Sequence, residues 1–261
     1  MFETHQARSL ALALEHFTMD ASTILDASEM SAARPVADFV AWVKRKAEEL
    51  GASPEAKIFA RSGAQLPKKF YDEFYPLALF VEHEFTAAPN AVVAPNLGND
   101  NFDATVSFGD GADILYIEIT RAKDGHDESM RDEVLTREGS VCLTGPILKV
   151  EGRRGAPDRI VEVEDEAISH EVLLHKHLSL VGAAVRAKAN RIYGKHHLLL
   201  LVVDDYLPFR MESDHRALHA LITSELLSLD LDFIRLVILG ISGELILSYQ
   251  LPRYAQREAV L

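Results

Sequence analysis

Two carboxylates stand in consecutive alternating segments, Asp103 in NFDATV and Glu118 in YIEIT, separated by the turn sequence GDG at 109–111. Strand alternation puts Phe102, Ala104, Val106 and Phe108 on one face and Asp103, Thr105 and Ser107 on the other. In the following segment Ile114, Tyr116, Glu118 and Thr120 share a face. Folded back through a turn whose glycines supply positive φ, the two strands are expected to bring Asp103 and Glu118 to the same side of a sheet. Neighbouring carboxylates repel and lose hydration when partly buried. A divalent cation between them relieves both costs, and hard oxygen ligands of this kind suit magnesium or manganese.

Two other ionisable residues interrupt apolar patterns. The stripe Phe70, Phe74, Leu77, Val81 advances by four, three and four, and the next step of three lands on Glu84. A second stripe, Leu178, Val181, Val185, meets Lys188 before Ile192, with Arg191 and Lys195 beside it. A buried unpaired charge costs several kcal/mol, so a charge on a core stripe calls for a partner. Glu84, Glu118 and Lys188 are therefore candidates for one another's partners, around the site that holds Asp103. Other groups carry less. His175 and His177, and His196 and His197, lack the companions of a zinc site. Cys142 reads as a buried thiol. Asp204–Asp205 at the end of LLLLVV reads as a capped turn, although a strand's carboxyl edge is where α/β proteins often place functional groups. No Walker loop, GxGxxG or GxSxG occurs.

The elements that must position these groups follow from periodicity. Residues 1 to about 60 read as a helical segment, with Ala11, Leu12, Leu14 and Phe17 in a first helix and Val36, Phe39, Val40, Val43 and Ala47 in another that stops near Gly51. From Lys68 a long helix runs towards Pro89. Strands follow at 101–108 and 113–121, a polar helix at 126–138, and strands around 141–150 and 160–163, joined through GRRGAPD. A helix from His170 to Tyr193, closed by Gly194, leads to the buried strand 198–203. A helix (213–229) and strands at 234–239 and 244–249 complete the chain. This order predicts an α/β protein with a mixed central sheet covered on both faces, residues 61–261 forming the main domain and 1–60 an N-terminal helical extension.

A helix bearing an acidic residue, a strand with Asp, a strand with Glu, then a helix and a strand resembles the PD-(D/E)XK superfamily of restriction-endonuclease-like proteins over residues 68–205. The resemblance implies a restriction-endonuclease-like core and hydrolysis of nucleic-acid phosphodiester bonds. It makes Asp103 and Glu118 magnesium ligands, with Glu84 in support. The sequence departs from the motif at two places. Phe102 stands where proline precedes the Asp, and Thr120 stands where the lysine two residues after the Glu should be. A hydroxyl cannot supply the missing positive charge, and Lys188 (or less directly Lys123) is the candidate to replace it.

Composition bounds these readings. The chain has 261 residues, 48% hydrophobic and 26% charged, as an ordinary globular protein does. Its formal net charge of −13 means that nucleic-acid binding would rest on a local basic patch, a bound metal or a partner subunit. A lone cysteine fits a reducing compartment, and no stretch approaches the roughly 20 apolar residues of a membrane span, so a cytoplasmic location away from membranes is expected. Two alternatives stay open. One is a catalytically inactive member of the same fold serving as a binding or assembly module. The other is a structural or regulatory α/β protein whose charges form a buried ion-pair network. The N-terminal helices could make a homodimer or cover the sheet.

Overall fold

The computed structural model describes residues 21–61, 64–109, 113–152 and 159–252. The first-helix stripe Ala11–Phe17, the turn residues 110–111 and most of GRRGAPD lie outside the described residues. In chain order the elements are α1 (Ala27–Ser31), β1 (Arg34–Pro35), α2 (Val36–Gly51), α3 (Pro54–Arg61), α4 (Gln65–Lys69), a π turn (Phe70–Phe74), α5 (Tyr75–Phe85), β2 (Val92–Pro95), β3 (Ala104–Phe108), β4 (Asp113–Arg121), α6 (Gly125–Glu138), β5 (Ile147–Glu151), β6 (Ile160–Val163), α7 (His170–Arg186), β7 (His197–Val203), α8 (Glu212–Leu221), a second π turn (Ile222–Leu226), β8 (Arg235–Gly240) and β9 (Ile246–Gln250).

Every residue of β7 is buried, as a strand covered on both faces requires. It lies within a seven-stranded mixed sheet ordered β1-β2-β3-β4-β7-β8-β9. The β4–β7 and β7–β8 pairs are parallel and the other pairs antiparallel. Ile117, Ile119, Leu198, Leu200 and Val202 share one core with α2 and α5, including Phe39, Trp42, Phe70 and Phe74. Leu199, Leu201, Val203 and Ile238 pack on the other side with Val181 and Val185 of α7 and Leu218 of α8. The protein is therefore mixed α/β with helices on both faces of the sheet, and residues 21–61 share a core with it. The β5–β6 ribbon forms a separate small sheet packed on Met130 and Val134 of α6. Among the described residues no helix is long and apolar enough to cross a membrane.

Two local departures from periodicity matter for the site. The helix from 65 to 85 contains a π turn at Phe70–Phe74, a form often found at functional sites. The helix expected to reach Tyr193 ends at Arg186, with Ala187 as its C-cap. Beyond it Asn190 takes a left-handed φ of 60°, and the Tyr193 and Gly194 N–H groups both donate to the buried carboxylate of Asp232 at 2.9 Å. Lys188 consequently sits in a turn at the end of α7.

Candidate active site

The β3–β4 register, with Ala104 opposite Ile117 and Thr105 opposite Tyr116, puts Asp103 across from Glu118 at the mouth of the hairpin. Ile117 and Ile119 point into the core, so Glu118 and Thr120 face α7. Asp103 lies just before β3, where one carboxylate oxygen accepts the Ile119 N–H at 2.7 Å and its own N–H donates to the Ile117 carbonyl. The side chain is thereby fixed against the strand that carries Glu118. Lys188 reaches Glu118 Oε1 in an ion pair whose partners are 15% and 13% exposed.

Burial raises the Asp103 carboxyl above its usual range, with the Ile119 N–H, Lys69 and Lys188 working the other way. Glu118 is raised by burial and by repulsion from Asp103, against its bond to Lys188. These are the interactions of two carboxylates held close in a half-dry setting.

Glu84 stands elsewhere. It pairs with Arg235 at 2.6 Å, and Arg235 lies on β8, two strands from β4. The apolar line at the end of α5 continues from Val81 to Phe85, whose ring packs on Phe80 and Phe108, and leaves Glu84 on the surface.

The helix contributes Glu73 instead. Its carboxyl is pushed up to about 7 by burial and by the nearby charge of Asp103, with Lys69 opposing. Lys69 Nζ lies 3.2 Å from Glu73 Oε2 and opposes the rise by its charge and by a hydrogen bond. Glu73, Asp103 and Glu118 thus gather with the ammonium groups of Lys69 and Lys188. The signal in the sequence was the i,i+4 spacing of Lys69 and Glu73 on the flank of the Phe70–Phe74 stripe.

The Thr120 hydroxyl, at the position of the motif lysine, is buried without a hydrogen-bond partner. Lys123 is engaged elsewhere, with Asp72 at 2.8 Å and Glu128 at 2.5 Å.

Among the described residues no group of three or more His, Cys, Asp or Glu side chains is arranged to hold a metal ion. A magnesium ion commonly takes one or two carboxylates and completes its shell with water and substrate oxygens. Asp103 and Glu118 are the two carboxylates here that such a shell would draw on.

The remaining sequence candidates have structural roles. Asp205 is buried and accepts the Ser242 N–H at 2.9 Å and the Ser242 hydroxyl, tying the β8–β9 turn to the end of β7. His197 stacks on Tyr116, and His177 packs on Phe209. Cys142 is partly exposed rather than buried, its sulfur accepting the Gly145 N–H at 3.3 Å. Comparison with protein-family models, with curated proteins and with solved structures finds no match.

Proposed function

We propose that the protein is a magnesium- or manganese-dependent phosphodiesterase of the restriction-endonuclease-like type, acting on nucleic acid. The observation that carries this reading is the convergence of Asp103, Glu118 and Lys188 on one sheet face, from three separate segments. The order of α5, the antiparallel strands β2, β3 and β4, then α7 and the parallel strand β7 supports it, being the order that the sequence resemblance implies. In this reading Asp103 and Glu118 hold the metal, and Glu73 takes the supporting acidic role first expected of Glu84. The metal would neutralise phosphate charge and make a bound water more acidic. The Ile119 N–H keeps Asp103 pointed at the site. Lys188 places a positive charge beside Glu118 where the motif lysine is replaced by Thr120, available to a phosphate oxygen in the transition state.

Titration calorimetry with magnesium and manganese is the first test. The parent protein should bind one of them, and Asp103→Asn or Glu118→Gln should abolish binding. Cleavage of labelled single- and double-stranded oligonucleotides should fall at least about a hundredfold in either variant. A parent protein that binds neither metal would overturn the reading.

A second reading rests on the Lys188–Glu118 ion pair itself. That pair already satisfies Glu118 without a metal ion, as it would in a catalytically silent module of the same fold. Metal binding without cleavage of any oligonucleotide would favour this second reading.

A further inference from the structure

Towards the turn end of the β3–β4 hairpin lies a cavity of about 360 Å³ lined by Phe108, Asp113, Ile114, Leu115, Tyr116 and His196. That volume lies within the range of small-molecule and cofactor sites. Tyr116 and Glu118 share a face of β4, and the rise of about 3.3 Å per residue sets the tyrosine roughly 7 Å from the carboxylate along the strand. The cavity wall is aromatic and aliphatic. Asp113 and the exposed His196 add an acceptor and a ring that both donates and accepts. Phe102, which alternation assigned to the Ala104 face, turns at the break before β3 and packs edge-on against Tyr116 at 5.1 Å. Tyr116 stacks on buried His197 at 4.7 Å, which braces the ring from below.

The loop above this cavity differs in charge from the rest of the molecule. Residues 172–203 contain no Asp or Glu, in a chain with 40 such residues and a net charge of −13. Within that stretch Arg191 and Lys195 are exposed and form no ion pair among the described residues. Arg191 follows Lys188, the partner of Glu118, by three residues, so the cationic loop starts at the carboxylates. His196 holds a left-handed φ of 66°, and its carbonyl accepts the Tyr116 N–H at 2.9 Å, so the loop is fixed against the cavity. Lys195 adjoins His196 in the chain, so phosphates attached to a planar heterocycle in the cavity would be drawn towards this loop. A base paired in a duplex would first have to be unpaired and unstacked to enter, at a cost in free energy.

We propose that this cavity takes one unpaired base of a single-stranded nucleic acid whose backbone runs along the Arg191–Lys195 loop. The inference rests on the nucleic-acid part of the reading above and adds to it a substrate class, single strands or frayed ends.

The test is fluorescence anisotropy of the full chain with a labelled single-stranded oligonucleotide and its blunt duplex, in calcium to hold the site without turnover. The parent should bind the single strand more tightly than the duplex. Tyr116→Ala should weaken single-strand binding by roughly five- to a hundredfold, the effect of losing one stacked base, while Tyr116→Phe retains it. Because Tyr116 also supports His197, His196→Asn provides a second variant that suits the left-handed turn and removes only the ring. It too should weaken single-strand binding, with an unchanged melting temperature as the check on folding. Equal or tighter duplex binding by the parent, or undiminished single-strand binding by both Tyr116→Ala and His196→Asn, would overturn the subsite. Loss of the subsite with metal-dependent cleavage intact leaves the phosphodiesterase reading standing. Selective single-strand binding without metal binding or cleavage removes that reading and leaves the subsite.

Discussion

Asp72 and Glu73 are neighbours on the same π turn, and their carboxyls are driven in opposite directions. Asp72 accepts from Arg121 and Lys123 at 2.8 Å and from Lys68 at 2.9 Å, and these cations hold its carboxyl down at about 2 in spite of burial. Glu73 has Lys69 alone and faces Asp103, and its carboxyl is pushed up to about 7. Both side chains are mostly covered, at 13% and 22% exposed, so burial does not distinguish them. The number of cations does. The Asp72 cluster is a saturated ion-pair knot that ties α4 to the end of β4. The Glu73 cluster is left short of positive charge. The Asp72 knot needs no further positive charge, whereas under the proposed function a metal ion would be drawn to the Glu73 cluster.

The largest expected effect comes from untying the saturated knot. Asp72→Ala leaves Lys68, Arg121 and Lys123 facing each other with Glu128 and Asp132 as the nearby acids, and should destabilise the fold by about 4 kcal/mol. Chemical denaturation at neutral pH measures this. A loss below about 1 kcal/mol would mean that the knot is solvated and the contrast with Glu73 is overstated.

Glu73→Gln should act with the opposite sign. A carboxyl raised from 4.5 to about 7 in the folded state binds a proton there that the unfolded chain has released, so stability falls as pH rises through that interval. The variant removes the fall, gaining up to about 3 kcal/mol at pH 8 and almost nothing at pH 4. Asp72 has its window lower, between 3.8 and about 2, and there stability is lost as pH falls, by about 2 kcal/mol. Denaturation at pH 4, 6 and 8 separates the two. With magnesium present the gain in Glu73→Gln should shrink, because a cation beside Glu73 does the same neutralising work.

The sequence made the sheet legible because β7 is an unbroken apolar run and β3 and β4 alternate, and neither pattern suits a helix. Asp103 and Glu118 were legible for the same reason, since period-two alternation fixes which side chains share a face. Lys188 was visible as a charge on an apolar stripe, but its place was not. The helix it was assigned to ends at Arg186, and the chain beyond is held by distant partners, the Asn190 N–H by the Asp230 carbonyl and the Tyr193 and Gly194 N–H groups by Asp232. Glu73 lies off the Phe70, Phe74, Leu77, Val81 stripe, which is buried throughout, so that stripe gave no reason to single it out. The step from Val81 to Glu84 carried the stripe onto the wrong residue at a helix end, where a step of four to Phe85 was equally available.

The Lys188–Glu118 pair ranks next, and it sharpens what distinguishes the clusters. Lys188→Gln alone leaves Glu118 buried beside Asp103 and should destabilise the fold. Glu118→Gln alone leaves an ammonium without its partner. In the double variant both charges are absent, and the coupling should come to about 2 kcal/mol at neutral pH. Coupling that vanishes on adding magnesium would show that the metal and Lys188 compete for the same carboxylate. Coupling that is indifferent to magnesium would place this pair with the Asp72 knot as a structural tie.

Thr120 provides the smallest effect and the most direct discrimination. Its hydroxyl is buried without a partner, at the position where the motif resemblance expects a lysine. A residue retained only for packing there would be better as valine, which has the same shape and no polar atom to desolvate. Thr120→Val should therefore stabilise the metal-free protein by about 1 kcal/mol. If the hydroxyl serves bound water in a loaded site, the same variant should weaken magnesium binding measured by calorimetry while raising the melting temperature. Opposite signs in those two readouts assign Thr120 to the site. Stabilisation with unchanged magnesium affinity would make it an uncompensated buried hydroxyl, and the charge missing from this strand would then rest on Lys188 and Lys69 alone.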